Sequence, residues 1–383
     1  MSEINRIFFP LIRSSVSGEP LGDGETALFS RELLPELVRL AGRHDITAML
    51  ATSLINNNLI ARDSRGATDE ITKAVYRYEI LCRELDAVCE LFGKECIAHI
   101  PLKGAVMRKY YPQPYMRTSS DIDILVYKEE VEKAVGVLTA SGYTISSRTA
   151  HDVSLRSKLN QLLELHFDLI EVGGVGRADS VLGSVWESSS PTPGFKYRYE
   201  MSDEMFYFYH IAHMAKHFES GGCGIRPFIY LYLLDAQGEC LSQRNALLEK
   251  GGLFTFAEAA RKLSRTWLAD CEPSQLSLRM QEYILSGGMY GSVENRINSR
   301  QKRSGGKLRY LLSRIFAPYS KLAGYYPVLH KHPWLMPVMQ VRRWITLLNP
   351  NKAKRAAAEL RANKNANADN IDNTQSLLDE LGI

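Results

Sequence analysis

The chain has 383 residues, 45% hydrophobic and 23% charged, with a formal net charge of +4. That composition is ordinary for a globular protein and long enough for about two or three domains. No apolar run reaches the roughly 18 residues of a membrane-crossing helix, and the start, Met1 to Pro10, lacks the basic opening and apolar core of a secretory signal, so the expected compartment is the cytoplasm.

Residues 1–95 read as helices. Ser30 stands where a helix cap belongs, ahead of the helical apolar spacing of Leu33 to Leu40, and Asp45 to Leu54 continues in the same style. Tyr76 to Phe92 is a long amphipathic stretch with Gly93 as its expected stop. Cys82, Cys89 and Cys96 recur every seven residues, which puts them near one helix face. With Cys223, Cys240 and Cys271 they form no CxxC pair, so they read as small half-buried thiols of a reducing compartment.

Residues 96–195 change character. Cys96 to Leu102 is a short strand, Lys103 and Gly104 turn it into a helix over Ala105 to Tyr111, and Asp121 to Tyr127 is a second strand. A helix over Lys128 to Ser141 ends at Gly142. Strands follow at Tyr143 to Arg148 and Val153 to Arg156, then an apolar/polar alternation over Leu162 to Ile170. Gly173 to Gly176 reads as a loop, since no helix follows at the spacing of a phosphate cradle. Residues 196–300 are helical again, broken at Gly221 to Gly224. Residues 301–350 form a basic helical extension, and 351–383, rich in Ala, Asn and Lys before a short acidic amphipathic end, read as a flexible tail. The fold class expected is α+β: a small mixed sheet flanked by N-terminal and C-terminal helical regions.

The chemistry concentrates on the second strand. A strand points residues i and i+2 to one face, so Asp121 and Asp123 lie side by side. Two like charges so placed persist when a cation sits between them, and an all-oxygen site suits Mg²⁺, with Mn²⁺ as its substitute. Glu164, His166 and Asp168 share a face of the later strand, so either acid can converge on the pair. Lys103 and the Gly104 backbone suit a triphosphate, and Arg117, Ser119 and Ser120 are further phosphate contacts. Nucleotidyl and phosphoryl transfer need this set: held phosphates, neutralised charge and an aligned nucleophile. A D-x-D pair alone is common where exposed strands begin. The Lys-Gly turn, the arginine and the later acid strand give it chemical weight.

Leu102-Lys103-Gly104, Tyr110-Tyr111, Arg117 with Asp121, Asp123, Leu125 and Val126, and Glu164 with His166 together resemble the uncharacterised bacterial nucleotidyltransferase family of the DNA polymerase β-like superfamily. The resemblance continues through His213 to Phe218 and Gly221 to Phe228 and extends to Tyr326-Pro327 and His332 to Leu335, covering about residues 40 to 345. It implies a mixed sheet with Asp121 and Asp123 as catalytic metal ligands and, from the family's acid-x-His pattern, Glu164 as the third, with Asp168 in reserve. The superfamily's first turn usually carries Gly-Gly or Gly-Ser. Here it is Lys103-Gly104-Ala105, so Lys103 replaces the serine contact. The family pattern also has an aspartate where this chain has Tyr230.

His210, His213 and His217 line one helix face. A zinc helix usually carries a glutamate between its histidines, whereas here Lys216 opposes a cation, so structural or substrate-contacting roles are expected. Lys216, His217 and Arg226 suit nucleotide phosphates or base, and Gly221 to Gly224 a hinge or a close approach to ligand. From Arg296 to Lys364, sixteen Lys or Arg face one acid, Glu359, leaving 31 basic and 42 acidic residues elsewhere. Segment 296–364 thus hints at an anionic partner, nucleic acid or a membrane surface. A solvated basic face around a partly buried helix is the plainer expectation.

The sequence therefore predicts transfer of NMP from an NTP to an unidentified acceptor hydroxyl. A nucleotide-binding regulatory module without turnover and a metal-dependent phosphohydrolase are the alternatives. The acceptor (protein, small molecule or nucleic acid) and the base are left open.

Overall fold

The computed structural model describes residues 3–169, 175–237, 241–303, 307–326, 328–346, 349–365 and 367–383. Gly173, Gly174 and Cys240 lie outside the described residues.

Five strands form a mixed sheet in the order β1-β2-β5-β4-β3: β1 His99–Pro101, β2 Asp121–Val126, β3 Thr144–Arg148, β4 Asp152–Arg156 and β5 Leu162–His166. Only β2 and β5 run parallel, joined by a crossover that takes in the helix Val131–Ala140 and the β3–β4 pair. The period-2 alternation of β2 splits it between two layers. Ile122, Ile124 and Val126 pack with Leu163 and Leu165 of β5 against the helices Arg65–Lys94 and Val131–Ala140. Leu125 faces the other way, into the core of a large helical body, with Ile100 and Leu102 beside it.

That body draws on both ends of the chain. Helices Glu3–Ser17, Leu34–Arg43 and Thr47–Asn56 share one apolar core with Asp203–Glu219, Arg226–Asp235, Phe254–Leu268 and Gln275–Leu285. Phe9 stacks on Trp267 at 4.6 Å, which fixes the first helix to the later ones. Residues 7–54 and 205–284 thus pack around a common interior, while the helix Arg65–Lys94 packs on the other side of the sheet.

Ser30 caps a short turn as expected, accepting from the Glu32 amide. The helix expected to stop at Gly93 stops beside it. The Arg65–Lys94 helix ends one residue later, after a buried stripe of Leu81, Leu85, Val88, Cys89 and Phe92, and the Ile97 amide closes it on Phe92 O at 2.8 Å. Cys96 lies beyond the helix at φ 55°, so it does not share the Cys82–Cys89 face. The expected helix after Gly104 is only a turn, Gly104–Met107, followed by the 3₁₀ turn Arg108–Tyr110.

The Gly221–Gly224 break, expected as a hinge or a close approach to ligand, brings backbone against backbone. A Cβ on Gly291 would lie 2.0 Å from Gly221 O. The expected flexible tail is also corrected. Helices Pro350–Asn365 and Ala368–Leu381 occupy it, and Leu377, Leu378 and Leu381 enter the main core. The spacing of those leucines supplies an apolar helical face that the polar composition around it obscures.

Candidate active site

The parallel register sets Asp123 beside Glu164 and Asp121 beside Leu162. Alternation then brings Asp121, Asp123, Glu164 and His166 to the sheet face that looks toward the helical body. Asp123 is 4% exposed and accepts two hydrogen bonds at 3.0 Å, from Lys103 Nζ and from His166 Nε2. His166 Nε2 is 3.7 Å from Glu164 Oε2. Ligand atoms of Asp123, Glu164 and His166 all fall within 4.8 Å of one another.

This grouping differs from the expected trio in one member. His166 stands with Asp123 and Glu164, while Asp121 sits one pleat away, its carboxylate accepting from Ser119 Oγ at 2.8 Å. The Asp121 charge still reaches Lys103 and Glu164. Asp168 lies past the end of β5, its amide donating to His151 O. Ser119 is buried and committed to Asp121, and Ser120 is exposed at the strand's mouth.

Electrostatics follows from two acids and one ammonium on a half-dry face. Burial pushes the Glu164 carboxyl up to about 7, with the Asp123 charge adding to it. Burial would raise Asp123 as well, but the Lys103 ammonium and the His166 hydrogen bond outweigh it and hold that carboxyl well below the usual range. Burial alone would lower Lys103. The charges of Asp123 and Asp121 and the hydrogen bond to Asp123 reverse this, so the ammonium stays protonated. Lys103 reaches this position from a backbone at φ 40° and ψ −107°, a conformation side-chain-bearing residues rarely hold.

The turn after Lys103 offers fewer free amides than the sequence suggested. The Ala105 amide donates to Leu102 O and the Val106 amide to Lys103 O. The Gly104 α-carbon is covered by the Arg117 guanidinium, whose Cζ would sit 3.1 Å from a Cβ there. Arg117 is buried, donates to Thr118 O, and lies 5.0 Å over the Tyr230 ring. Tyr230, where the resemblance led to the expectation of an aspartate, therefore meets the arginine through its π-face.

Arg226 is engaged in a clip. Its Nη1 donates to Asp45 Oδ2 at 2.6 Å and to Thr118 O and Oγ1 at 3.0 Å, and Thr118 Oγ1 donates to Asp45 Oδ2 at 2.7 Å. The clip ties the N-terminal helices, the approach to β2 and the helix Arg226–Asp235 together. On the helix Asp203–Glu219, His213 and His217 face each other, Nε2 to Nε2, at 3.2 Å. Burial holds His213 well below its usual value, with Lys103 the next cause. It holds His210 down at about 4, with the ring nitrogen Nε2 bonded to Pro227 O at 3.0 Å. These histidines are not among the close metal-binding groupings of the described residues. Lys216 is half-buried on the same helix.

Tyr209, Asp45 and Thr118 were not singled out from the sequence. Tyr209 is a helical turn before His213, and its electrostatic coupling to Lys103, Asp123 and Glu164 puts it against the carboxylate face. The i, i+4 pattern of Tyr209, His213 and His217 was its available signal. Asp45 carried none beyond its acidity, because its partner Arg226 is remote in sequence.

A family model described as an uncharacterised nucleotidyltransferase matches residues 32–269, more than half of the chain. The match takes in the sheet, the carboxylates and the histidine helix. No curated protein matches the chain.

Proposed function

The chain belongs to the uncharacterised nucleotidyltransferase family, and from that premise we propose that it transfers NMP from an NTP to an acceptor hydroxyl around Asp121, Asp123 and Glu164. The acceptor oxygen attacks the α-phosphorus, the bond from that phosphorus to the β-phosphate bridge breaks, and pyrophosphate leaves. The carrying observation is the parallel pairing that sets Asp123 against Glu164, with Lys103 on the same carboxylate.

The donor chemistry fits a divalent cation. Two adjacent carboxylates, one pushed up to about 7 by burial and its neighbour's charge, form a like-charge pair that a cation relieves. Asp123 and Glu164, with Asp121 or His166 completing the set, would hold Mg²⁺ or Mn²⁺. The oxygens suit either ion, and the imidazole is better tolerated by Mn²⁺. A bound ion at this position supplies neutralisation of phosphate charge. Ser119 orients Asp121, and His166 orients Asp123. Lys103 exchanges its contact with Asp123 for a phosphate oxygen when nucleotide enters. Ser120, Lys216 and His217 are the remaining candidates for phosphate contact. Arg117 and Arg226 support the turn and the strand from behind, since Thr118, Tyr230 and Asp45 already occupy them.

The test is incubation with each of the four α-labelled NTPs, Mg²⁺ and a cell extract. Wild type should release pyrophosphate and label an acceptor. Asp123→Asn should lose at least about a hundredfold in rate, the several kcal/mol of charge stabilisation such a site provides. Phosphate or NMP released without a labelled acceptor would make the protein a hydrolase. Nucleotide binding without turnover would make it a regulatory module.

A further inference from the structure

The basic extension differs from a merely solvated face. Residues 307–346 contain seven Lys or Arg, seven aromatic residues and no Asp or Glu. They fold around a small core of their own, Ala317, Leu322, Ala323, Leu329 and Met339, separate from the main interior. The helix Met336–Ile345 uses one face for that core, burying Met339 and Gln340. Its opposite face should then be polar if water is the only neighbour. Instead Val338, Val341 and Ile345 of the helix, with Trp334 of the 3₁₀ turn Pro333–Leu335 just before it, form an outward stripe exposed by 55%, 50%, 58% and 73%.

A second outward stripe lies beside it. Leu312 and Ile315 of the helix Lys307–Ile315 are exposed, as are Phe316 just past its end and Tyr319 at the start of the next helix. The two are fixed together. Arg343 donates to Arg314 O at 2.7 Å and Ile315 O at 3.0 Å, Trp344 Nε1 donates to Ile315 O at 2.9 Å, and the Phe316 ring meets the Trp344 ring edge-on at 5.6 Å. Half of the exposed large hydrophobic residues among the described residues fall within this stretch and the helix that follows it. Exposed Arg309, Lys331 and Arg342 accompany them.

We infer that segment 307–346 docks on an anionic membrane surface, its aliphatic and aromatic stripes entering the headgroup boundary and its cations meeting lipid phosphate and carboxylate. Charge complementarity selects this occupant. A second copy would bring the exposed Arg309, Lys331 and Arg342 against the same three cations. A nucleic acid would satisfy the cations and stack on the aromatics, but would leave Val338, Val341, Ile345, Leu312 and Ile315 without a partner. An anionic bilayer answers both features at once. Among the described residues no helix is long and apolar enough to cross a membrane, so the contact is with the surface. This inference stands apart from the chemistry of the cleft, and its test reads binding alone.

The experiment is co-sedimentation of the full chain with lipid vesicles, phosphatidylcholine alone against a mixture with about one-third phosphatidylserine, at low and high salt. Wild type should bind the anionic vesicles at least about tenfold more tightly, and high salt should weaken that binding. Trp334→Ser with Val341→Ser should lower it by about tenfold or more at unchanged charge. Lys331→Glu with Arg342→Glu should abolish the preference for phosphatidylserine while sparing the stripe. Every substituted side chain is exposed, and an unchanged melting midpoint verifies folding; Trp334→Ser alone serves if the double variant melts early. Equal binding to both vesicle types, a stripe variant that binds like wild type, or tight binding of a single-stranded oligonucleotide unaffected by the stripe substitutions would overturn the inference.

Discussion

Replacing Lys103 by Met removes one charge from the cleft and little of its packing volume, because the aliphatic stem is retained. The ammonium lies 3.0 Å from Asp123 Oδ1, with the two side chains 24% and 4% exposed. At that separation an effective dielectric of about 20 makes the attraction about 5 kcal/mol. Part of it is offset by the desolvation of Lys103 itself, which the variant no longer bears. The His166 bond to Asp123 also remains. The net loss should be about 3 kcal/mol, in line with the removal of one partner from other buried pairs. Urea denaturation without divalent ions measures it. Adding Mg²⁺ or Mn²⁺ should then stabilise Lys103→Met more than wild type, since a cation no longer competes with the ammonium. A loss below about 0.5 kcal/mol, or an equal response of both proteins to the ions, would refute the view that Lys103 neutralises Asp123.

Leu378→Ala should cost about 2–5 kcal/mol in chemical denaturation, because Leu378 is fully buried in the main core near the chain's end. A loss near zero would detach the last helix from that core. Acid should destabilise the fold through His44, which burial and then Arg43 hold down at about 4 against an ordinary 6.5. Well above pH 6.5 neither folded nor unfolded His44 is charged. As pH falls below 6.5 the unfolded chain takes up a proton that the native site refuses, and stability falls until about pH 4. The full effect is about 3 kcal/mol, and His44→Gln should flatten the slope by up to about 1.4 kcal/mol per pH unit. Stability measured at several pH values between these limits checks it.

Local patterns carried much of the site. The Asp121–Asp123 alternation and the Glu164–His166 alternation were each legible within a few residues, because a strand's period is a property of the backbone alone. Their relation to each other was not, since parallel pairing of β2 with β5 depends on a crossover through two intervening strands. That pairing put His166 closer to the carboxylate pair than Asp121 and left Asp168 beyond the strand end. Lys103 was legible as a cation near the site. That it rests on Asp123, and that Arg226 is held by Asp45 from 181 residues away in sequence, follows from packing between distant segments.

Periodicity also named helices whose surroundings it did not describe. The leucines at 377, 378 and 381 marked an apolar face, but whether a face is covered depends on what the rest of the chain brings to it. Here the last helix found the main core, while the stripe of Trp334, Val338, Val341 and Ile345 faces outward. The sequence by itself determined which residues share a face, because that depends only on the repeat of a strand or a helix. The tertiary structure decided which faces meet, because burial and charge pairing join groups that the chain keeps far apart.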